Sequence, residues 1–319
     1  MNAQPEKFQP KFLVRFRASF QRPFSARGKR RLNWERLRKA SWRTAGVLVP
    51  GLLLFSVSPA SASHLERHFK VEARPIITLH NPNGTVTVKA WTKPEVMVTA
   101  TPATDQVDID AEQSGNRVDI MTRPVSEAIA PGDLRTDFDI RVPQDAELQI
   151  HDDSGAVNVN SVLGDTNVET IGAGVDLEDA AGYLTVKTVG GGFQCVRCAG
   201  RIEVSSITGN FRLIDLRSYH VRAQTSKGNI LFDGEFLPNG MYQLKNYSGV
   251  IEVRFSPGDS FDLSATSLKG KVNNEAKLTP PTHHFYQKFG NSLFGSFNTG
   301  QAKVELSSFD GTINILKRN

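Results

Sequence analysis

Few side chains of this sequence are of a type and spacing to do chemistry. Cys195 and Cys198 stand in a C-V-R-C arrangement and are its two cysteines. In an oxidising compartment that spacing can close a small disulfide, and two buried thiols would fit it equally. A redox role would need a thioredoxin-like βαβ setting, and a zinc site would need two more ligands nearby. Acids pair as Asp152-Asp153 and Asp176/Asp179, Glu203 precedes His220 by about one repeat of the pattern below, and His283-His284 form a doublet. The segment Thr279 to Thr299 gathers Phe285, Tyr286, Phe289, Phe294 and Phe297 within 13 residues, beside Lys288. Such a composition suits a loop that grips a partner or a sugar ring, or rings that fold back as a lid over a core.

Whether these groups can act together depends on the elements that carry them. Glycines recur at 155, 174, 192, 209, 228, 249 and 270, with steps of 19, 18, 17, 19, 21 and 21, and a second set falls between them. After most of them comes Gly-x-apolar-x-apolar, as in Gly200 with Ile202 and Val204 or Gly249 with Ile251 and Val253. Period two marks strands with one buried face. A strand of about five residues cannot bury that face alone, so strand plus turn, used twice, predicts a coil of about 19 residues that stacks on its neighbours. Residues 151–319 are thus expected to form a parallel β-solenoid carrying an aromatic loop insertion at 279–299. Longer alternating stretches in residues 63–150 are expected to form a smaller β region capping its open end. The fold class is all-β.

The same register aligns the outward positions. One row reads Asn158, Asp176, Gln194, Arg212, Leu231, Glu252 and Asn273; the other reads Asn167, Thr185, Glu203, His220, Gln243 and Asp262. Glycosidic chemistry or calcium binding on a β-helix needs two or three carboxylates brought together on neighbouring coils, and neither row supplies two adjacent acids. Asp152-Asp153 and Asp176/Asp179 read as solvated turn acids, and Glu203/His220 as a surface pair. No nucleophile elbow, phosphate loop or metal-ligand spacing is present. The expectation is no enzyme, no catalytic residue, no metal and no cofactor.

Stretches such as Asn83-Gly84-Thr85-Val86-Thr87-Val88, Ser248-Gly249-Val250-Ile251-Glu252-Val253 and Asp310-Gly311-Thr312-Ile313-Asn314-Ile315 resemble the DUF4097 family, whose members carry the label putative adhesin. The resemblance runs over roughly residues 70–317. It implies an exported β-solenoid and brings no catalytic residues with it.

Residues 1–62 have a different character. The 13 residues Ala45 to Val57 are mostly apolar, follow a basic run from Arg27 to Arg43, and precede Ser58-Pro59-Ala60-Ser61-Ala62. That is the layout of a signal peptide with a long basic leader, with Ala60 and Ala62 forming an A-x-A cleavage site. An uncleaved anchor is the alternative, but the stretch is broken by Pro50-Gly51 and falls short of the roughly 20 residues that span a bilayer. The leader holds 13 of the 38 Lys and Arg and two of the 33 acids, so residues 63–319 carry 25 bases against 31 acids. An acidic body disfavours nucleic acid as partner despite the overall charge of +5. The expected function is a non-catalytic exported protein, an adhesin or envelope interaction protein presenting a polar surface to an envelope or surface partner, protein or glycan. The alternative is a glycan-binding or glycan-active β-helix. The expected location is extracytoplasmic, with no membrane span after cleavage.

Overall fold

Alternating apolar residues between glycine turns give strands and nothing else. The computed structural model describes residues 64–126, 134–280 and 290–318, and every regular element among them is a β-strand. The basic leader, Ala60, Ala62, His283, His284, Phe285, Tyr286 and Phe289 lie outside the described residues.

The chain enters through β1 (Leu65–Lys70) and makes a first coil from β2 (Ile76–Asn81) and β3 (Gly84–Trp91). After β4 (Glu95–Pro102) and β5 (Val107–Ser114) a second coil follows, β6 (Arg117–Pro124) with β7 (Thr136–Pro143). Six regular coils come next: β8 (Glu147–Asp152) with β9 (Gly155–Asn160), β10 (Thr166–Thr170) with β11 (Gly174–Glu178), β12 (Tyr183–Thr188) with β13 (Phe193–Val196), β14 (Ala199–Ser206) with β15 (Phe211–Ile214), β16 (Arg217–Lys227) with β17 (Ile230–Asp233), and β18 (Met241–Ser248) with β19 (Val250–Phe255). The chain closes with β20 (Phe261–Ser267) and β21 (Val272–Asn274), β22 (Asn291–Phe297), and the coil of β23 (Ala302–Ser308) and β24 (Thr312–Lys317). Each coil gives one strand to each of two 12-stranded sheets, here called the β8 wall and the β9 wall.

Within the walls neighbouring coils are parallel and in register. Val168 lies between Ile150 and Val186, and Leu177 between Val159 and Cys195. These inward side chains are at most about 1% exposed and form one continuous core between the walls. Removing a Val, Leu or Ile side chain from water in this way stabilises by roughly 1.5–3 kcal/mol each.

At the corner from the β8 wall to the β9 wall the sequence repeats a polar residue, two spacers and glycine: Asn81 with Gly84, Asp152 with Gly155, Thr188 with Gly191, Ser267 with Gly270, Ser308 with Gly311. The polar residue turns inward, and at Thr188, Ser267 and Ser308 its oxygen accepts the N–H of the glycine three residues on, at 2.9, 3.0 and 2.9 Å, whereas the Gly84 N–H donates to the Ser154 carbonyl instead. The glycine is required by stacking. A Cβ on Gly155 would lie 1.8 Å from the Gly84 carbonyl oxygen of the neighbouring coil, and one on Gly311 would lie 2.1 Å from that of Gly249. Gly155 also has φ +120°, but Gly311 is not among the positive-φ glycines, so backbone handedness is not the general reason.

The order of coils differs from the order of the sequence at both ends. The first coil lies between the second and the third, since β3 pairs with β7 and β9 while β2 pairs with β6 and β8. Likewise the last coil lies between β18–β19 and β20–β21. Antiparallel strands finish the stack, β4, β1 and β5 at one end and β22 at the other. Hydrogen-bonded stacking therefore runs without a seam across residue 150, and the described residues fall in one compact unit. The expected boundary at 150 is corrected accordingly: only β1, β4 and β5 of the N-terminal region cap, while β2, β3, β6 and β7 are solenoid coils.

Asp152 is the carboxylate in the corner row of Thr, Ser and Asn. It is buried, against the expectation of a solvated turn acid. The corner rule points residue i of the polar-x-x-Gly repeat inward whatever its charge. Asn81 donates to its Oδ1 at 2.9 Å, while Oδ2 is buried without a hydrogen-bond partner. Burial pushes its carboxyl up to about 7.

Two outcomes follow from these corners. Gly311→Ala lowers stability by about 1–3 kcal/mol or prevents folding, although Gly311 needs no left-handed φ, as read from the thermal midpoint. Because the folded pKa of Asp152 exceeds its unfolded value near 4, its stabilising contribution is complete below that value and is lost as pH rises through about 7. At roughly 1.4 kcal/mol per pKa unit this amounts to a few kcal/mol. Asp152→Asn keeps an acceptor for Asn81, so denaturant titration at pH 8 should find it more stable than wild type, with the difference vanishing toward pH 4.

Candidate functional site

Outward rows of the walls are where function must be sought, because the core is closed. On the β8 wall the observed row is Gln149, Asn167, Thr185, Glu203, Arg222, Gln243, Glu305 and Ser264. It departs from the expected row in three ways, one being that Ser264 stands opposite Glu305 while Asp262 stands opposite Lys303. A register shift between Gly200 and Arg201 places His220 opposite Arg201 and Arg222 opposite Glu203, and the intercalated last coil inserts Glu305 after Gln243. On the β9 wall Asn314 separates Glu252 from Asn273 for the same reason. In neither observed row do two acids face each other on neighbouring coils.

The register shift is a β-bulge with Tyr219 as its extra residue, and it is held from inside. The buried Ser218 hydroxyl donates to the Gly200 carbonyl at 2.5 Å and accepts the His220 N–H at 3.2 Å. The buried Tyr242 phenol donates to the Ser218 carbonyl at 2.8 Å, and burial pushes that phenol up to about 12, so it remains a donor. Outside, Arg201 grips Glu203 Oε1 through Nε at 3.0 Å and Nη2 at 2.6 Å. That hydrogen bonding holds the Glu203 carboxyl below its usual range, while burial and then the Arg201 charge hold the His220 imidazole below its own. Glu203 is therefore ionised and His220 neutral, with 3.7 Å between Glu203 Oε1 and His220 Nε2. The pair has no proton to donate as a general acid near neutral pH.

Two further acids, Glu178 and Asp179, are tied similarly. Arg197 sits at a corner with φ 53° and bonds Asp179 on the preceding coil at 2.7 and 2.9 Å, and also bonds Glu178. It lines a cleft of about 340 Å³ with Asp179, Asp215, Arg217, Glu235 and Arg318. Cys195 and Cys198, on either side of Val196 and Arg197, are drawn together as a disulfide in the structure. Both are fully buried, so neither sulfur is presented to solvent. Among the described residues no three His, Cys, Asp or Glu side chains converge in a metal-binding arrangement, and no helix is long and apolar enough to cross a membrane.

One acidic cleft escaped the sequence reading. Antiparallel pairing of β5 with β6 sets Glu112 opposite Asp119, and with His80, Asp110, Arg117 and Thr78 they line a cleft of about 210 Å³. The hairpin signal, Ser114-Gly115-Asn116 between alternating stretches, was in the sequence, but the outward rows began only after residue 150. Asp119 accepts from Arg117 at 2.8 Å and Asp110 pairs with Arg123 at 3.3 Å, so guanidinium groups neutralise two of its three acids.

The aromatic segment divides. Residues expected in a loop from 279 to 299 include β22, an antiparallel strand on β20 that finishes the β8 wall. Phe297 is not a free contact: its ring packs 5.0 Å from Phe255 and 5.2 Å from Phe261, against the core. Period-two spacing of Leu293, Gly295 and Phe297 explains the strand, which the crowding of aromatic residues obscured. Phe294 is half-buried on the same strand.

The profile of the Toastrack DUF4097 family matches residues 76–316. No curated protein matches the chain. Solved structures similar to it include a putative adhesin from Bacteroides fragilis, 14% identical over 81% of this chain and 98% of that one, TM-score 0.46. A putative cell adhesion protein from Clostridium sporogenes is 12% identical, over 80% and 100%, TM-score 0.28. A putative adhesin from Parabacteroides merdae is 9% identical, over 79% and 96%, TM-score 0.26.

Phe297→Ala leaves a gap beside Phe255 and Phe261 and costs about 2–4 kcal/mol of unfolding free energy, measured by denaturant titration. A value below about 0.5 kcal/mol, typical of an exposed site, would show that the ring is not part of the core.

Proposed function

The chain belongs to the Toastrack DUF4097 family, and from that membership we propose that it is a non-catalytic exported β-solenoid whose polar walls bind an envelope or surface partner. The observation that carries the reading is the arrangement of charge on those walls. Outward carboxylates lie beside cations or amides: Glu169 with Lys187 at 3.0 Å, Glu305 with Lys245 at 2.9 Å, Glu252 with Arg254 at 2.7 Å. Such exposed pairs add little stability, each worth about 0–1 kcal/mol. They leave long flat faces rich in donors and acceptors but without the free acid and base that hydrolysis requires. Export is supported by the leader, with its basic run, short apolar stretch and Ala60/Ala62 site, and by the cysteine pair, which a reducing cytoplasm would keep open. Adhesion or another envelope contact is the finer form of the same reading.

Two measurements test it. Expressed as the full chain in a bacterium with an envelope, the protein is recovered outside the cytoplasm with Ser63 at its N-terminus, and it sediments with added envelope fragments. Recovery in the cytoplasm with residue 1 intact, or no sedimentation, refutes the reading.

A further inference from the structure

The β-bulge on the β8 wall has a geometry that its structural role does not require. Tyr183 aligns with Arg201, and Arg201 with His220, so the extra residue Tyr219 stands beside the coil two removed from Tyr183. Two inter-strand steps are about 10 Å. Tyr183 is 42% exposed and Tyr219 60% exposed, whereas Tyr247, 53% exposed on the same wall, is already stacked on Phe309. Between them the Arg201 guanidinium lies 5.3 Å from the Tyr183 ring centroid while gripping Glu203. Met241, 40% exposed, extends the row by one coil beyond His220. The bulge is not loose: Ser218 and Tyr242 fix its backbone from the core side. Bulges of this kind re-aim a side chain, and here the re-aimed side chain is an exposed tyrosine.

Exposed aromatic rings beside paired polar groups suit a ligand with alternating apolar ring faces and hydroxyl rims. The charge balance narrows its class. Arg201 and Glu203 neutralise each other, Arg222 donates to Gln243 at 3.2 Å, and the chain beyond the leader carries more acids than bases, which repels a polyanion. We propose that Tyr183 and Tyr219 form a platform for a neutral β-linked hexopyranose chain, each ring stacking on a sugar two residues from the other, with Arg201 and Glu203 bonding the hydroxyl groups between. The platform rests on the proposed binding role of the walls and names the partner as glycan.

Calorimetric titration of the full chain tests it with cellohexaose and chitohexaose as neutral probes and oligogalacturonate as the anionic comparison. The expected result is saturable binding of at least one neutral hexamer. Tyr183→Ala and Tyr219→Ala each weaken it about tenfold or more, and Tyr183→Phe, which keeps the ring, changes it less than about threefold. All three variants melt with wild type, because the two side chains are exposed. No binding of either neutral hexamer, tighter binding of oligogalacturonate, or unaltered affinity in both alanine variants overturns the platform. Sedimentation with envelope fragments separates the two levels. Equal retention of wild type and both alanine variants overturns the platform and leaves the broader reading standing, whereas loss of wild-type retention removes the broader reading.

Discussion

At the corner from the β8 wall to the β9 wall, in most coils, the carbonyl oxygen of one coil occupies the space that a Cβ on the next would need. That single close approach sets the rest. Glycine recurs at that position in most coils, with Thr136 and Ala173 standing there in two of them, the coils cannot slide past one another, and the inward side chains fall into rows one inter-strand spacing apart. Where the inward polar residue three positions earlier is Thr188, Ser267 or Ser308, it satisfies an N–H that the turn would otherwise bury unpaired. Where that residue is Asp152, a rule made for neutral side chains encloses an acid, and its partner Asn81 meets only one of its two oxygens.

The interleaved ends add a second constraint. Simple solenoids propagate coil by coil, each needing only its neighbour. Here the outermost coils are internal in sequence and rest on the first and last coils, so β20–β21 gains its partner only when β23–β24 has docked. Closing those long loops costs entropy before the contacts repay it, which makes the ends slower to form than the middle but hard to fray once formed. The antiparallel finishing strands also differ in character. β1 carries Glu66, Arg67, His68 and Lys70 along an open edge, a charge pattern that discourages addition of further strands.

The function offered here follows from the same regularity. In-register stacking turns an alternating sequence into flat faces, and flat faces carry paired charges more readily than pockets. A local break, the bulge at Tyr219, adds an aromatic ring to such a face. The cleft at Glu112 and Asp119 arises from the other kind of break, where antiparallel pairing in the cap opposes two acids that parallel stacking keeps apart elsewhere.

All-β class, stacked coils and inward alternation were legible in the sequence, because glycine spacing and period two are local properties that the coils repeat. The polar-x-x-Gly corner is equally local and equally legible. Tertiary structure decided the order of the coils, the inward turn of Asp152, the strand that takes Phe297 into the core, and the slip that sets Arg222 and not His220 beside Glu203. Each of these depends on which segment lies next to which, and a repeat that makes all coils alike carries no label saying which two are neighbours.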